Sequence, residues 1–375
     1  MYNACRNSPG TATRRTAAIS YQPRSANMAA IPALSVQELV KQPIITIPQH
    51  YVRLDQQPLT VPNGGRPLPT IPIIDMNQLV YGKDFDLQLH KLHSACKDGG
   101  FFQLVNHGVD STVMEKVKQE VEEFYKLPLE EKMKYKIREG EVEGYGTIER
   151  EDGKFDWADR LYMITNPILL RKPHLFPELP SSLRNTLESY ILELQNLAMK
   201  LLSLMAKALE IDEKEMIEYF EDGMQSLRMT SYPPCPQPEL VTGITPHSDP
   251  TILTFLLQLN GVDGLHISKD GCWFPVTILP NALVVNVGDI LEIFSNGVYR
   301  SIEHRAIPNA EKERISVAFF IKPKREAYVG PSPSLINPQN PPLYKRVGME
   351  QYVKDFFSRK LNGKTYLQHM RINNE

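Results

Sequence analysis

The spacing of hydrophobic positions along this chain changes from helical to strand-like near residue 225. Before that point the clearest pattern runs from Ser182 to Leu209, where apolar residues recur at intervals of three and four. The apolar stripe consists of Leu187, Ile191, Leu194, Ala198, Leu201, Met205 and Leu209. This spacing predicts one long amphipathic helix that supports a sheet from behind.

From Ser226 onward, short apolar segments are separated by turn residues such as Asn260-Gly261, Asp270-Gly271 and Gly288-Asp289. The predicted strands are residues 226–232, 243–247, 251–259, 263–267, 273–278, 282–287, 298–306 and 313–321. Short strands at this spacing, without long helices between them, indicate a sandwich or jelly roll. Asp289 is predicted to be a turn residue that links two strands.

The remaining segments surround this β-rich core. We predict strands at 71–75 and 101–105, helices at 86–97, 111–127 and 349–361, and a mobile loop at 139–155. The expected organisation is a disordered leader (1–32), an N-terminal region with the long helix (33–210), a catalytic core (211–330) and a C-terminal helix and tail (331–375).

Composition and charge exclude several classes of function. The net charge of −2 offers no basic field for nucleic acid, and no apolar run approaches the roughly 20 residues that span a bilayer. The four cysteines are scattered, which is typical of a reducing compartment. We expect a cytoplasmic monomer. The first 30 residues contain arginines but no acidic residue, so a plastid transit peptide is the alternative to a disordered leader.

A His-x-Asp triplet and a distant histidine are the candidate metal ligands. His247 and Asp249 are two residues apart, so in a strand both side chains point to one face, and His304 follows 55 residues after the aspartate. Two imidazoles and one carboxylate suit iron(II) with open positions for dioxygen chemistry. A zinc hydrolase can use the same donors, and an isolated His-x-Asp can also be a surface turn.

Arg314 and Ser316 share one face of a predicted strand that is otherwise apolar. A guanidinium is costly to bury there unless an anion meets it, and its planar fork suits a carboxylate. The alternative places Arg314 at an exposed strand end beside Glu311 and Glu313.

Taken together and in this order, the motifs resemble those of the plant 2-oxoglutarate/iron(II)-dependent dioxygenases. The resemblance extends over roughly residues 33 to 370. Within the superfamily, the chain resembles the specialised-metabolism branch, which includes senescence-related-type proteins, alkaloid O-demethylases and flavonoid oxidases, although the motifs are more specific to the superfamily than to this branch. The matching motifs are Gly99 to Gly108, Asp156 to Asp159, Tyr232-Pro233-Pro234-Cys235, His247-Ser248-Asp249, His304 and Arg314-Ile315-Ser316.

The resemblance implies a double-stranded β-helix of the cupin-like jelly-roll type. It also implies that His247, Asp249 and His304 bind iron, and that Arg314, Ser316 and Tyr232 bind 2-oxoglutarate. This chain departs from the family at Thr230-Ser231-Tyr232, where relatives commonly have Asn-Tyr-Tyr. A threonine hydroxyl replaces an amide there, so we expect weaker or water-mediated contacts with the co-substrate.

The implied reaction consumes dioxygen and 2-oxoglutarate, releases succinate and carbon dioxide, and hydroxylates or O-demethylates a small hydrophobic metabolite of the flavonoid, alkaloid or terpenoid class. Ascorbate is expected to support activity. Two alternatives remain at this point. One is an oxidase of the ethylene-forming type, which uses no 2-oxoglutarate, and the other is a barrel that binds a ligand without catalysis.

An aromatic and apolar pocket would suit a flat substrate. The predicted wall positions are Phe320, Phe255, Tyr162 and Val298, although all four can instead belong to the barrel core. Arg228 and Lys322 could contact polar substituents of the substrate, but solvation at the surface is the favoured expectation for both.

Overall fold

The computed structural model describes residues 35–54, 70–147, 149–150, 152–357 and 363–372. The leader expected over residues 1–32, with the alternative transit peptide, lies outside the described residues. No helix in the described ranges has both the length and the apolar character needed to cross a membrane.

The helices of the described chain are α1 (Val36–Leu39), α2 (Met76–Tyr81), α3 (Phe85–Ser94), α4 (Ser111–Lys126), α5 (Leu129–Lys132), α6 (Ser181–Ala208), α7 (Glu213–Phe220), α8 (Asp289–Phe294), α9 (Met349–Phe357) and α10 (Thr365–Met370). Helix α6 is the long helix predicted from the apolar stripe, and every residue of that stripe is buried. It packs against α3, α4 and α7, and its stripe belongs to the same hydrophobic core as the large sheet.

The strands are β1 (Ile73–Asp75), β2 (Phe101–Val105), β3 (Gly144–Gly146), β4 (Asp159–Asn166), β5 (Gln225–Tyr232), β6 (Ile244–His247), β7 (Leu253–Gln258), β8 (Leu265–Lys269), β9 (Cys272–Pro275), β10 (Leu283–Val287), β11 (His304–Ala306), β12 (Arg314–Ile321), β13 (Tyr328–Val329) and β14 (Val347–Gly348). Eight of them form one large sheet, in the order β1-β2-β10-β7-β12-β5-β4-β3. A second sheet has the order β6-β11-β8-β9.

These two sheets form the jelly roll that was predicted from the short-strand pattern. The large sheet takes strands from both sides of the boundary expected at residue 210, and one continuous hydrophobic core extends through both regions. Its inner strands β5, β12 and β7 are paired along most of their lengths. The paired strands therefore hold the side chains that face the second sheet at fixed separations.

The structure differs from the predicted elements at Asp289 and in the strand 298–306, and it describes only part of the predicted helix 349–361. Asp289 does not lie in a strand-to-strand turn but begins helix α8, and its side chain is buried. Only His304–Ala306 of the predicted strand 298–306 is a strand. Helix α9 begins at Met349 as predicted, whereas residues 358–361 of that prediction lie outside the described residues.

The Asp156-Trp157-Ala158-Asp159 motif fixes the start of the described chain to the large sheet. Buried Asp159 accepts hydrogen bonds from the Ser35 hydroxyl at 2.9 Å and from the backbone N–H groups of Val36 and Gln37 at 3.1 and 2.7 Å. Trp157 is fully buried and its indole N–H donates to the Pro233 carbonyl at 3.0 Å. The carboxylate thus serves as an acceptor for the N-terminus of α1.

Candidate metal centre and the cavities beside it

Three side chains predicted as metal ligands converge between the two sheets. Strands β6 and β11 pair antiparallel with His247 directly opposite His304, and their ring centroids are 4.3 Å apart. Asp249 follows two residues after His247, with its carboxylate oxygens 3.5 Å from His247 Nε2 and 3.7 Å from His304 Nε2. One donor atom from each residue lies within 4.8 Å of the other two, so a single ion can bind all three.

Hydrogen bonds fix the orientation of both imidazole rings. His247 Nδ1 lies 2.8 Å from the Thr245 carbonyl, and His304 Nδ1 lies 3.1 Å from the Ile302 carbonyl. Each Nδ1 therefore carries the proton that it donates, and each Nε2 presents a lone pair to the centre. Within the described structure His247 Nε2 is buried without a hydrogen-bond partner. A metal ion at this position would supply the missing partner.

Buried neighbours hold the Asp249 carboxylate in place. Its Oδ2 accepts hydrogen bonds from the Thr254 hydroxyl at 2.7 Å and from the Asn286 amide at 2.8 Å. Burial alone raises the pKa of Asp249, but His304 and His247 outweigh burial and lower that pKa well below its usual range. Burial, together with the neighbouring His247, lowers the pKa of His304 to about 4. These directions favour the Asp249 carboxylate and the neutral His304 imidazole, the forms that bind a divalent metal.

Two further acidic residues position the segment that carries His247 and Asp249. Asp156 accepts hydrogen bonds from the Thr245 hydroxyl at 2.7 Å and its N–H at 3.1 Å, and it pairs with Arg150. Ser248 donates to the buried Asp289 carboxylate at 2.9 Å. The sequence motifs include Asp156 without indicating this contact, because its partner lies 89 residues away.

A small inner cavity extends from the triad to Arg314. Its wall includes His247, Asp249, His304, Asn286, Thr254, Arg228, Arg305, Tyr232, Arg314 and a group of apolar residues (Phe101, Ile244, Leu256, Leu265, Ala306 and Ala318).

Arg314 is only 1% exposed, which excludes the expectation of an exposed strand end. Burial lowers the pKa of its guanidinium, so this environment favours an added anion.

The surroundings of Arg314 leave its guanidinium directed along the inner cavity. Its Nε donates to Gln258 Oε1 at 3.3 Å, and its guanidinium lies 5.0 Å from the centre of the Tyr232 ring. Among the described residues no carboxylate forms an ion pair with it. A side chain at Gly264 would bring a Cβ within 2.9 Å of Arg314 Cδ, so glycine leaves the space that the arginine occupies.

Ser316 lies on the same face of β12 as Arg314 and is buried between the paired residues Thr230 and Gln258. It is outside the set of residues that line the inner cavity. Thr230 also lies outside that set and lines a second, larger cavity.

An outer cavity of about 330 Å³ shares His247, Asp249, Arg228 and Ile244 with the inner cavity. Tyr162 and Phe320 both line it, with ring centroids 6.4 Å apart. Residues from the predicted loop 139–155 form another side, including Val142, Thr147, Glu149 and Arg150, and this segment contains strand β3. Phe356 of α9 completes the wall.

Two of the four predicted wall residues lie elsewhere. Phe255 is fully buried and pairs across the strands with Phe319, on the face of the sheet opposite to Phe320. Val298 packs against the same hydrophobic core, after helix α8. The prediction that both line the substrate pocket was wrong, because the alternating faces of a strand are visible in sequence but the inward face is not.

The expectation that Arg228 and Lys322 are solvated at the surface was also wrong. Both line the outer cavity, and Lys322 is only 5% exposed. Arg160 of β4, which the sequence did not single out, lies on the same wall. No pattern in the sequence marks these cations as cavity residues, because the face to which each side chain points depends on strand pairing.

Comparison with known proteins agrees with this geometry. A family model described as the 2OG-Fe(II) oxygenase superfamily matches residues 221–323, which include the triad and Arg314. A second model, described as the N-terminal part of a non-haem dioxygenase in morphine synthesis, matches residues 71–179.

Relatives that match over about nine-tenths of the chain support the same family. The chain is 49% identical to oxoglutarate-dependent flavonoid 7-O-demethylase 1 of Ocimum basilicum, over 91% of each chain. It is 49% identical to codeine O-demethylase of Papaver somniferum, over 90% of this chain and 96% of the relative. The crystal structure of JOX2 in complex with 2OG, Fe and JA matches with a TM-score of 0.81 and 34% identity, covering 91% of this chain and 98% of JOX2.

The iron and 2-oxoglutarate inferred from the donor set and from buried Arg314 are the cofactors that these matches support. The chain belongs to the 2-oxoglutarate/iron(II)-dependent oxygenases, and within them to the plant specialised-metabolism branch.

Proposed function

We propose that this enzyme removes a methyl group from an aromatic O-methyl ether of a small plant metabolite. The outer cavity is the observation that carries the proposal, because it places aromatic walls beside the two side chains that face the metal. Its volume of about 330 Å³ lies in the range for small-molecule sites. Relatives that match over nine-tenths of this chain are O-demethylases of a flavonoid and of codeine.

We assign the iron to His247, Asp249 and His304. When bound, iron(II) supplies the activation of dioxygen that couples oxidation of 2-oxoglutarate to oxidation of the substrate. The ring orientations and the Asp249 hydrogen bonds would hold the three donor atoms in place for the ion. Both cavities adjoin His247 and Asp249.

Arg314 is assigned to the distal carboxylate of 2-oxoglutarate, with Tyr232 beside it and Ser316 as a further hydroxyl on the same face of β12. A buried guanidinium without an acidic partner binds a carboxylate strongly, because water does not compete well in the inner cavity. The apolar residues of that cavity, such as Leu256 and Leu265, exclude water from the reacting atoms.

The overall reaction is balanced without a further reductant. Dioxygen gives one oxygen atom to succinate and one to the methyl carbon, and 2-oxoglutarate loses carbon dioxide. The hydroxylated methyl ether then breaks its carbon–oxygen bond, so the products are a phenol and formaldehyde. If the carbon beside the metal bears no ether oxygen, the same reaction leaves an alcohol.

The test is a panel of methoxylated flavones and alkaloids incubated with the protein, iron(II), 2-oxoglutarate and air. The expected result is equal molar yields of succinate, formaldehyde and demethylated product. Succinate with an alcohol product and no formaldehyde would overturn demethylation and leave hydroxylation. Product formation without succinate would contradict the use of 2-oxoglutarate.

The comparisons support the 2-oxoglutarate-dependent reaction rather than the two alternatives from the sequence, the ethylene-forming type of oxidase and the ligand-binding barrel. A small-molecule substrate agrees with the family. The monomeric state, the cytoplasmic or plastid location and the absence of nucleic-acid and membrane partners stay predictions.

A further inference from the structure

The outer cavity contains positive charge that demethylation of a neutral ether does not use. Its wall includes four cationic side chains, of Arg150, Arg160, Arg228 and Lys322, and three acidic side chains, of Glu149, Asp156 and Asp249. The acids do not neutralise all of the cations. Asp249 belongs to the metal centre, Asp156 is engaged by Arg150 and Thr245, and Glu149 is exposed at the rim.

Arg160 and Arg228, here called the arginine pair, lie on neighbouring strands and face the same space. In the β4–β5 register Arg160 is opposite Thr230, and Tyr162 is opposite Arg228. All four side chains line the outer cavity. Burial, then the nearby Arg228 and Arg150, lowers the pKa of Arg160 to about 9.

The hydrogen-bonding capacity of the arginine pair is largely unused. One Arg160 nitrogen donates to the Val142 carbonyl at 3.2 Å, but its Nε is buried without a partner. Arg228 stacks on Phe320, with 5.2 Å between guanidinium and ring centre, and its Nε is also buried without a partner. Within the described residues no ion pair neutralises either one. Two unsatisfied cations at one wall are unfavourable unless a ligand brings the acceptors.

Resting on the proposed function, we propose that the arginine pair is a substrate subsite for an anionic oxygen group, either a carboxylate or an acidic hydroxyl on the aromatic skeleton. Tyr162 and Phe320 lie beside the two guanidiniums, so a flat ring fits next to the anion that they bind. The other end of the ring system would then point to His247 and Asp249, where the methyl group reacts.

Arg228 also lines the inner cavity, so it could instead serve 2-oxoglutarate. The test therefore measures both ligands. Equilibrium binding is followed by calorimetry under anaerobic conditions, with the full chain loaded with iron(II) and 2-oxoglutarate. One probe pair is para-methoxycinnamate and its neutral amide, and the other is a hydroxynaphthoquinone and its methyl ether. The variants are Arg160→Met and Arg228→Met, and Arg325→Met is the control because Arg325 is an exposed cation outside both cavities.

The wild type and the control should bind the anion of at least one pair roughly 10 to 100 times more tightly than its neutral partner, the usual effect of a charge-assisted hydrogen bond. The pair that shows this preference identifies carboxylate or acidic hydroxyl as the group. Each arginine variant should lower the ratio toward one and leave the affinities for the neutral probe and for 2-oxoglutarate unchanged. Binding of the neutral probe also shows that the variant is folded.

Equal affinities for the two members of both pairs in the wild type would overturn the subsite, as would a preference that survives in both arginine variants. If Arg228→Met weakens only 2-oxoglutarate, Arg228 belongs to the co-substrate and the pair is not a subsite. These outcomes are separate from the proposed demethylation. An anion preference without formaldehyde release would refute demethylation alone, and formaldehyde release without the preference would refute the subsite alone.

Discussion

The inner and outer cavities meet at His247 and Asp249 but differ in how their polar groups are satisfied. Around the inner cavity, both imidazole rings and the Asp249 carboxylate have fixed hydrogen-bond partners. The one exception among these groups is His247 Nε2, which is buried without a hydrogen-bond partner among the described residues and would be completed by the proposed metal ion. On the outer wall, Arg160 and Arg228 each have a buried Nε without a partner, and Arg228 lines both cavities. The donors of the inner site would therefore be completed by the metal, whereas the arginines of the outer wall would be completed by the proposed substrate anion.

The difference implies that the reaction and the choice of substrate depend on different residues. A preorganised metal and co-substrate site performs the same reaction whatever ether is presented to it. Specificity then depends on a few side chains at the outer wall, where one or two charges can select a substrate class.

The largest expected effect comes from removing a proposed metal ligand of the inner site. His304→Ala leaves two donors, so iron content and succinate formation should both fall by more than about 100-fold, beyond the loss seen when a residue supporting a ligand is removed. Metal analysis and a succinate assay measure this. His90→Ala, at an exposed histidine of α3, should behave as wild type. Full iron occupancy in the His304 variant would contradict the assignment.

The next effect concerns the co-substrate. Arg314→Lys keeps the charge but loses the planar fork, so the KM for 2-oxoglutarate should rise about 10- to 100-fold. The KM for the methoxylated substrate should change little, because Arg314 does not line the outer cavity. Arg325→Lys provides the matched control at an exposed site. A larger effect on the substrate than on 2-oxoglutarate would show that the two cavities are not separate in function.

A smaller effect should follow from loosening the Asp249 carboxylate. Asn286→Ala removes its 2.8 Å amide hydrogen bond, and iron affinity should fall about 10-fold while the KM for 2-oxoglutarate stays within about 2-fold. A competition titration against a chelator measures the affinity. Asn185→Ala, on the exposed side of α6, is the control. Unchanged iron affinity would show that Thr254 alone orients the carboxylate.

The smallest effect distinguishes the two faces of the large sheet. Phe320→Leu should change the KM of the substrate a few-fold, by about 1 kcal/mol, with little loss of stability. Phe255→Leu lies on the core face and should lower the free energy of unfolding by about 1 kcal/mol without changing that KM. Thermal unfolding and steady-state kinetics on both variants are the measurements. The reverse pattern would mean that Phe255 lies at the substrate.

The sequence brings several residues of the inner site together because its signals are local. Residues two apart in a strand share a face, which groups Arg314 with Ser316, although Ser316 lies outside the lining of the inner cavity. Asp249 lies two residues beyond the end of β6, so the short spacing keeps it near His247 but strand alternation does not orient it. The long helix and most strands follow from the apolar period for the same reason. Helix α8 was missed because Gly288-Asp289 is also typical of a turn, and six buried residues are too short for a helical period to show.

The outer site could not be predicted in the same way. Which face of β7 points inward depends on its register with β12, and that pairing joins residues about 60 positions apart, such as Phe255 and Phe319. The proximity of Arg160 and Arg228 likewise depends on the β4–β5 register. The order of apolar and polar residues within one strand does not say which residue of another strand lies opposite, so neither the β7–β12 nor the β4–β5 register could be predicted.

Strand β12 contains both Arg314, at the proposed co-substrate site, and Phe320, at the wall of the outer cavity. Six residues of extended backbone span roughly 20 Å, and pairing on both edges prevents the strand from stretching or sliding. An insertion within this strand would change the distance between Arg314 and Phe320, and with it the relative positions of the proposed co-substrate and substrate. New substrates for this scaffold are therefore best sought by exchanging side chains at the outer end, with the length of the strand kept constant.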